Sequence, residues 1–224
     1  MSELTLLIPA KKEAESLPIF LDELRRYDYK ILIVLEERDK ETIDAITLRE
    51  NIEIFYQKNN GYGSALIEGI DHIKTKYFCI INADGSMNPS ELDNMLKNIN
   101  DDNDLVFGSR YLKNAGSEDD DFITVVGNYI FSFLGKVFFN LKINDILYTY
   151  VLGRTELVKK LNLKFSDFKV CVELPIKAHR SKLKYISTPS FERKRIAGKK
   201  KVNPFLDGLY ILTGMCYLFF NKVL

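Results

Sequence analysis

The chain has 224 residues, 46% of them hydrophobic, which is enough for one large domain or two small ones with a real core. The net charge of +1 gives no overall attraction to nucleic acid, so we expect no nucleic-acid partner. The three cysteines show neither metal-ligand spacing nor a paired framework, and the N-terminus leads directly into a predicted strand. We therefore expect a cytoplasmic protein without a signal peptide.

Short apolar runs alternate with helix-like segments through the first half of the chain. This alternation predicts a mostly parallel sheet with helices on both faces, and right-handed crossovers then bring the strand ends to one edge. The predicted strands are residues 4–8, 30–35, 52–56, 77–81 and 104–107. The predicted helices are residues 17–26, 41–49, 63–73 and 90–99, the last with Ser90 as its N-cap.

The predicted strand at residues 77–81 ends abruptly in polar residues. Asn82, Asp84 and Ser86 follow it at once. In an open α/β sheet, ligands bind at the carboxyl ends of the strands, and Mg²⁺ and Mn²⁺ prefer oxygen ligands of this kind. The segment predicts a site for Mg²⁺ or Mn²⁺ with Asp84 as the main ligand and Asn82 and Ser86 beside it. An ordinary turn is the alternative.

Two other segments place distinctive residues near predicted strand ends. Gly61 and Gly63 open a predicted helix, where glycine permits a close approach of the backbone to a ligand. A Gly-x-Gly pair is also common in simple turns. The last predicted strand of the first half runs into Arg110, and arginine binds phosphate as a bidentate fork.

Basic residues cluster at residues 193–201, here called the basic loop, which include Arg195 and Lys199. A solvated loop is the simplest explanation of a charge run. Pro189 precedes this run and Gly198 lies within it, which favours a loop that binds an anion.

In this order and spacing, the segments resemble the family 2 glycosyltransferases, and in particular the branch of dolichol- or polyprenyl-phosphate mannosyl- and glucosyltransferases. Residues 188–201 are similar to that branch's proline–arginine–glycine–lysine segment, and the resemblance runs from about Leu4 to about Lys201. It implies a single Rossmann-like nucleotide-binding domain of GT-A type with a mostly parallel sheet. We assign residues 1–115 to the core that binds the sugar nucleotide and residues 116–224 to a continuous acceptor-side region.

The resemblance also implies roles for individual residues. The residues expected to bind the nucleotide are Pro9, Ala10, Glu13, Glu36, Asn59, Gly61, Gly63 and Ala83. The expected catalytic residues are Asp84, Arg110 and Arg195, and the residues expected to bind an acceptor phosphate are Arg110, Arg195 and Lys199.

The chain departs from the family pattern at three places. The usual Asp-x-Asp has Asn82 in its first position, so we expect a weaker metal site. The usual Asp-Asp-Gly-Ser after the second strand is replaced by residues 35–39, in which Glu36 matches the second Asp, and this leaves the identity of the base open. Asp145 keeps its place, but residues 146–150 replace a segment of small residues, so the adjacent pocket must differ in shape.

The second half contains two long apolar helices, predicted at residues 122–141 and 205–224. The first has a narrow polar stripe of Thr124, Asn128, Ser132, Lys136 and Asn140. Their broad apolar faces are expected to lie at a membrane interface or to contact another copy of the chain, because a sheet of this size already has covering helices. Packing of the two helices on each other or on the sheet is the alternative. Residues 116–121, here called the acidic loop, are expected to be exposed and mobile.

Together these features predict a metal-dependent, inverting glycosyltransferase that moves a hexose from a sugar nucleotide to a polyprenyl phosphate. A phosphate acceptor is already ionised near pH 7, whereas a sugar hydroxyl needs a general base, for which no late carboxylate motif is evident. Transfer to a glycan hydroxyl is one alternative. A catalytically impaired nucleotide-binding protein is the other, because Asn82 and Glu36 depart from the pattern.

Overall fold

The computed structural model describes residues 3–99, 102–198 and 204–221. Its centre is a seven-stranded sheet with the order β3-β2-β1-β4-β7-β5-β8. Neighbouring strands are parallel except β7, which is antiparallel to both β4 and β5. These strands are β1 (Leu4–Pro9), β2 (Lys30–Leu35), β3 (Ile52–Tyr56), β4 (Tyr77–Ile80), β5 (Leu105–Ser109), β7 (Val151–Arg154) and β8 (Tyr185–Pro189). A separate two-stranded sheet pairs β6 (Gly116–Ser117) with β9 (Phe191–Glu192).

Helices connect the strands and cover the sheet. They are α1 (Leu17–Glu23), α2 (Lys40–Ala45), α3 (Tyr62–His72), α4 (Leu92–Asn98), α5 (Phe122–Phe139), α6 (Thr155–Lys159), α7 (Val170–Arg180) and α8 (Pro204–Phe220). The predicted α/β class with a mostly parallel sheet is confirmed. Ser90 is not an N-cap, because it lies inside a 3-10 turn that precedes α4, and the side chain of Asn88 accepts the hydrogen bond from the Ser90 N–H instead.

Alternate residues of the central strands face two separate cores. On β1, Leu6 and Ile8 pack in one cluster and Leu7 packs in the other, and all three are fully buried. Strands covered on both faces need continuous apolar sequence, which explains why these runs do not alternate with polar residues. The arrangement fixes the carboxyl ends of β1, β2, β4 and β5 along one edge of the sheet.

The α5 and α8 helices form a layer in which many apolar residues face outwards. Part of the α5 polar stripe faces the protein: Asn128 and Ser132 are buried, whereas Lys136 and Asn140 are exposed. The Ser132 hydroxyl accepts a hydrogen bond of 3.1 Å from the Ile146 N–H. On α8, Ile211, Met215 and Leu218 pack inwards. The exposed apolar side chains of the pair, here called the apolar surface, include Phe122, Ile123, Tyr129, Ile130, Phe133, Val137, Phe138, Leu209, Tyr210, Tyr217, Phe219 and Phe220.

The ends of these helices differ slightly from prediction. Helix α5 stops at Phe139, two residues early, because Asn140 adopts a left-handed conformation with φ of 55° that ends the helix. Helix α8 ends at Phe220, and residues 222–224 of the prediction lie outside the described residues. Among the described helices, α5 is the one long and apolar enough to cross a membrane by length and composition, and 22% of its residues are buried.

Candidate active site

The turn after β4 presents one carboxylate at the edge of the sheet. Residues 82–86, here called the candidate metal turn, are held by Asp84, whose Oδ1 accepts hydrogen bonds from the Ser86 backbone N–H (3.1 Å) and hydroxyl (2.8 Å). Gly85 has φ of +73°, and a Cβ there would collide with the Ile196 side chain. A glycine is therefore favoured at this position, chiefly by its positive φ. Asn82 is the first residue of the turn and accepts a hydrogen bond of 3.5 Å from the Tyr62 hydroxyl.

These residues fit a divalent cation by their donor chemistry. Asp84 supplies a carboxylate, and Asn82 and Ser86 supply neutral oxygens. Within the described residues, no group of three or more His, Cys, Asp or Glu side chains is placed to hold a metal. Mg²⁺ is commonly held by one or two carboxylates together with substrate phosphates and water. The set therefore suits an ion that is bound jointly with a diphosphate.

The basic loop runs directly across this turn. Its described part, residues 193–198, forms two backbone hydrogen bonds to the turn, from Arg193 N–H to the Ser86 carbonyl (2.8 Å) and from Ile196 N–H to the Asp84 carbonyl (2.9 Å). The Arg193 guanidinium adds a hydrogen bond of 2.7 Å to the Gly85 carbonyl and an ion pair with Glu23. The described part of the loop is thus tied to the candidate metal turn, and its expected role in binding an anion stays a prediction.

Arg195 places its guanidinium between two carboxylates. Its Nη1 lies 3.4 Å from Asp84 Oδ2, while its Nε and Nη2 donate to the two carboxylate oxygens of Asp119 at 3.1 and 2.6 Å. Partial burial acts to lower the pKa of Arg195, but the hydrogen bonds to Asp119 and the charge of Asp84 outweigh it and hold the pKa above its ordinary value. The predicted catalytic residues Asp84 and Arg195 are therefore in direct contact.

Arg110 does not offer a free fork to a phosphate, contrary to the role expected from sequence. Its Nε and Nη2 donate to both oxygens of Asp145 at 2.7 and 2.9 Å, and its Nη1 lies 2.9 Å from carboxylate oxygens of Glu192 and Asp120. The guanidinium carbon also lies 4.5 Å from the centre of the Tyr148 ring. Arg110 is only 7% exposed, so every guanidinium nitrogen is used inside the protein.

The ends of β1 and β2 form the side of the site where the nucleotide is expected. Glu36 is buried and accepts from Lys11 Nζ (3.2 Å) and from Arg38 Nε. The hydrogen bond from Arg38 lowers the pKa of Glu36 against the opposing effect of burial. An open cleft beside it is lined by Glu36, Glu37, Arg38, Lys40, Gln57 and Asn60. Pro9, Ala10 and Glu13 lie at the end of β1, and Ala83 lies in the candidate metal turn.

Comparison with known proteins identifies the family. The sequence pattern of "Glycosyl transferase family 2" matches residues 5–161. The chain is a family 2 glycosyltransferase. It is 26% identical over 207 residues to an uncharacterized glycosyltransferase of Mycobacterium tuberculosis, covering 92% of this chain and 93% of that protein. It is 24% identical over 192 residues to the dolichol-phosphate mannosyltransferase of Pyrococcus furiosus, covering 81% of this chain and 54% of that protein.

Solved glycosyltransferases share the fold at low identity. Glucosyl-3-phosphoglycerate synthase of Mycobacterium tuberculosis, crystallised with Mn²⁺, UDP and phosphoglyceric acid, superimposes with a TM-score of 0.71 at 12% identity over 96% of this chain and 78% of that one. Mannosyl-3-phosphoglycerate synthase of Rubrobacter xylanophilus gives a TM-score of 0.69 at 13% identity, over 95% and 72% of the two chains. The seven-stranded sheet is thus a GT-A glycosyltransferase fold.

Two glycines expected at the nucleotide serve packing in this glycosyltransferase. A Cβ on Gly61 or Gly63 would collide with the backbone carbonyls of Ser166 or Phe165, respectively, so the close approach is to another loop of the protein. That loop is held by Glu173, a fully buried carboxylate that accepts from the Phe165 N–H at 2.8 Å. Glycine permits both kinds of close approach, and the sequence alone cannot distinguish them.

Two residues that were not expected from the sequence, Gln57 and Asn60, line the cleft near Glu36. Asn59 is engaged with Glu68, to which its backbone and side-chain N–H groups both donate at 3.0 Å. The neighbouring Asn60 and also Gln57 line the cleft beside Glu36 instead. A signal was available, because Gln57 follows β3 directly and the ends of parallel strands share one edge.

The acidic loop of this glycosyltransferase is held firmly, contrary to the expectation of an exposed, mobile segment. The Ser117 hydroxyl oxygen accepts from the backbone N–H groups of Asp119 (3.1 Å) and Asp120 (2.9 Å). The side chains of Asp119 and Asp120 are only 11% and 5% exposed, because each is paired with an arginine. Lys199, expected at the acceptor phosphate, lies outside the described residues.

Proposed function

We propose that this glycosyltransferase depends on Mg²⁺ or Mn²⁺, acts with inversion, and moves a hexose from a sugar nucleotide to a polyprenyl phosphate at a membrane surface. Asp84 would hold the ion, with Asn82 and Ser86 beside it. When bound, such an ion neutralises the charge that develops on the leaving diphosphate. In support, synthases with this fold have been crystallised with Mn²⁺ or Mg²⁺ and UDP.

The donor nucleotide would lie along the ends of β1, β2 and β3. Glu36 is held as an anion by its basic neighbours and can accept hydrogen bonds from a base or a ribose. Pro9, Ala10, Glu13 and Ala83 stay assigned to this side, and Gln57 and Asn60 join them. Residues 1–115 form the donor side in this proposal, while the region 116–224 completes the same sheet with β7 and β8.

Two arginines take different roles on the acceptor side. Arg195 is partly exposed and touches Asp84, so it can reach anionic oxygens of the donor or acceptor. Arg110 is a positioning residue instead, since it joins the acidic loop through Asp120 to β9 through Glu192. Lys199 stays a candidate for the acceptor phosphate.

The observation that favours a lipid acceptor is the apolar surface, because it begins at the site. Helix α5 starts directly after the acidic loop with Phe122, which is 82% exposed. The ring of Tyr129 on α5 lies 4.8 Å from the ring of Tyr111, the neighbour of Arg110. Exposed apolar area of this extent marks an interaction site. A lipid phosphate bound beside Arg195 would have its chain next to this surface.

The geometry favours attachment along the membrane interface over a span. The middle of the α5 polar stripe packs on the protein, where Asn128 and Ser132 are buried and Ser132 accepts a hydrogen bond from the Ile146 N–H. Interfacial helices bury an apolar face at the headgroup boundary and keep the polar face elsewhere. We therefore propose a peripheral membrane enzyme whose donor site faces the cytoplasm, and we keep contact between two copies of the chain as the competing explanation of the apolar surface.

The acceptor is tested by offering labelled sugar nucleotides with Mn²⁺ and three acceptors in parallel: polyprenyl phosphate in liposomes, phosphoglycerate, and an oligosaccharide. The proposal predicts label that partitions into organic solvent only with polyprenyl phosphate. Label that stays in the aqueous phase with phosphoglycerate or the oligosaccharide, and none in the lipid, would refute the lipid acceptor.

Membrane attachment is tested by flotation with liposomes of anionic and neutral lipid. The protein should float, and a Phe133→Ser, Phe220→Ser variant should stay at the bottom of the gradient, because both side chains are strongly exposed on the apolar surface. An Ile19→Ser, Leu48→Ser variant removes exposed apolar side chains elsewhere and should float normally. Wild-type protein that stays at the bottom as a dimer in sedimentation would favour contact between copies.

A further inference from the structure

The contact between Arg195 and Asp84 has a second partner that fixes it. Asp119 binds the Arg195 guanidinium through both carboxylate oxygens, at 3.1 and 2.6 Å, in the bidentate geometry that is strongest between arginine and carboxylate. The remaining guanidinium nitrogen, Nη1, points to Asp84 Oδ2 at 3.4 Å. Asp84 Oδ1 is used by Ser86. The oxygen that faces Arg195 is therefore the one left for a cation.

Both sides of this contact are held in place by backbone hydrogen bonds. Asp119 is fixed by the hydrogen bond from its backbone N–H to Ser117, which sits in β6 and pairs with β9. Arg195 is fixed because the residues on either side of it, at 193 and 196, form backbone hydrogen bonds to the candidate metal turn. Backbone hydrogen bonds thus hold the segments that carry Asp119 and Arg195 next to each other.

We propose that Asp119 is a positioning residue that holds Arg195 against Asp84 as an internal counter-ion, and that a divalent cation must displace this guanidinium to bind Asp84. Arg195 then stays anchored at Asp119, and its Nη1, no longer paired with Asp84, can donate to an anionic oxygen of the donor. The inference rests on the proposed metal dependence. It adds that metal and donor bind in a coupled manner, since the donor gives Arg195 a new partner.

The direct test measures Mn²⁺ binding to the nucleotide-free protein, by electron paramagnetic resonance of the free ion. Because Arg195 and Mn²⁺ compete for Asp84, Arg195→Gln should tighten Mn²⁺ binding by at least about tenfold, as expected when a unit charge in close contact is removed. Lys194→Gln is the matched control: it removes one positive charge from an exposed side chain of the same loop and should change the affinity by less than about threefold. Arg195→Lys keeps the charge and should bind Mn²⁺ nearly as the wild type does.

The role of Asp119 is tested by a double-mutant cycle on the KM for the donor. If Asp119 acts through Arg195, then Asp119→Asn and Arg195→Gln should each raise this KM, and the double variant should be no worse than Arg195→Gln alone. Asp119→Glu keeps the carboxylate and should restore most of the affinity. Effects that simply add would overturn the positioning role.

The Mn²⁺ binding measurement tests the displacement of Arg195 independently of which acceptor the enzyme uses. Unchanged or weaker Mn²⁺ binding by Arg195→Gln, in protein whose thermal melt shows it to be folded, would overturn the displacement of the arginine even if transfer to polyprenyl phosphate is found. Tighter Mn²⁺ binding would support it even if the acceptor proves to be different.

Discussion

Two arginines of this glycosyltransferase, both expected to bind phosphate, occupy opposite kinds of site. Arg110 is 7% exposed and is surrounded by Asp145, Glu192 and Asp120, which use all of its nitrogens. Arg195 is more exposed and shares its guanidinium between Asp119 and Asp84. A motif thus specifies the residue, but the number of carboxylates that the fold brings to it decides whether it can bind a ligand.

The largest effect is expected at Arg110, on the free energy of unfolding. Arg110→Ala leaves three carboxylates together without a cation, and breaking a buried ion pair typically costs about 3–5 kcal/mol. Urea unfolding should show a loss of this size. Arg25→Gln, which removes an exposed pair with Asp22, should cost no more than about 1 kcal/mol. An Arg110→Ala protein of normal stability with a raised KM for the acceptor would instead place Arg110 in the binding site.

At Arg195 the expected effect falls on transfer. Loss of a hydrogen bond to a charged group costs about 1.5–3 kcal/mol, so Arg195→Ala should lower kcat/KM at least ~10-fold. Its free energy of unfolding should fall less than that of Arg110→Ala, because the Arg195 side chain is less buried. Unchanged kinetics at limiting donor and limiting lipid phosphate would remove Arg195 from the site.

Asn82→Asp adds a second carboxylate to the candidate metal turn. The new charge should raise the affinity for Mn²⁺ several-fold, since ligand charge tunes the affinity of such sites. The Tyr62 hydroxyl can still donate to it, so the fold should be kept. Calorimetric titration measures the affinity, and weaker Mn²⁺ binding by this variant would place the ion away from residue 82.

The smallest effect is expected at Glu36, whose cationic partners Lys11 and Arg38 are largely exposed. Its pKa is lowered in the folded protein, so the stability it contributes is present above its unfolded pKa of about 4.3 and is lost as the pH falls through the lower folded value. The stability difference between wild type and Glu36→Gln should be constant from pH 8 to about 5 and shrink at lower pH. Urea unfolding across this range measures it, and a difference that does not begin to shrink as the pH falls below the unfolded pKa would contradict the lowered pKa of Glu36.

The sequence predicts the sheet well because its strands are continuous apolar runs that need two covered faces. The residues 30–35 and 52–56 match β2 and β3 to the residue. The place of Asp84 after a buried strand is also predictable, because the apolar run stops just before it, while its role as a metal ligand stays a prediction. The pairing of every Arg110 guanidinium nitrogen with a carboxylate is not predictable, because the partners at positions 120, 145 and 192 come from segments far apart in the chain. The same holds for Gly61, whose close neighbour, Ser166, is remote in sequence.

The central claim is that a divalent cation at Asp84 is required for transfer. The most direct measurement is labelled hexose transfer to polyprenyl phosphate liposomes as a function of Mn²⁺, with wild type and Asp84→Asn side by side. Asparagine can still accept the hydrogen bonds from Ser86, so the turn should be kept while the charge is lost. The wild type should give product that rises with Mn²⁺, and Asp84→Asn should give at least ~100-fold less product. Equal product from Asp84→Asn, or from wild type in excess chelator, would contradict it.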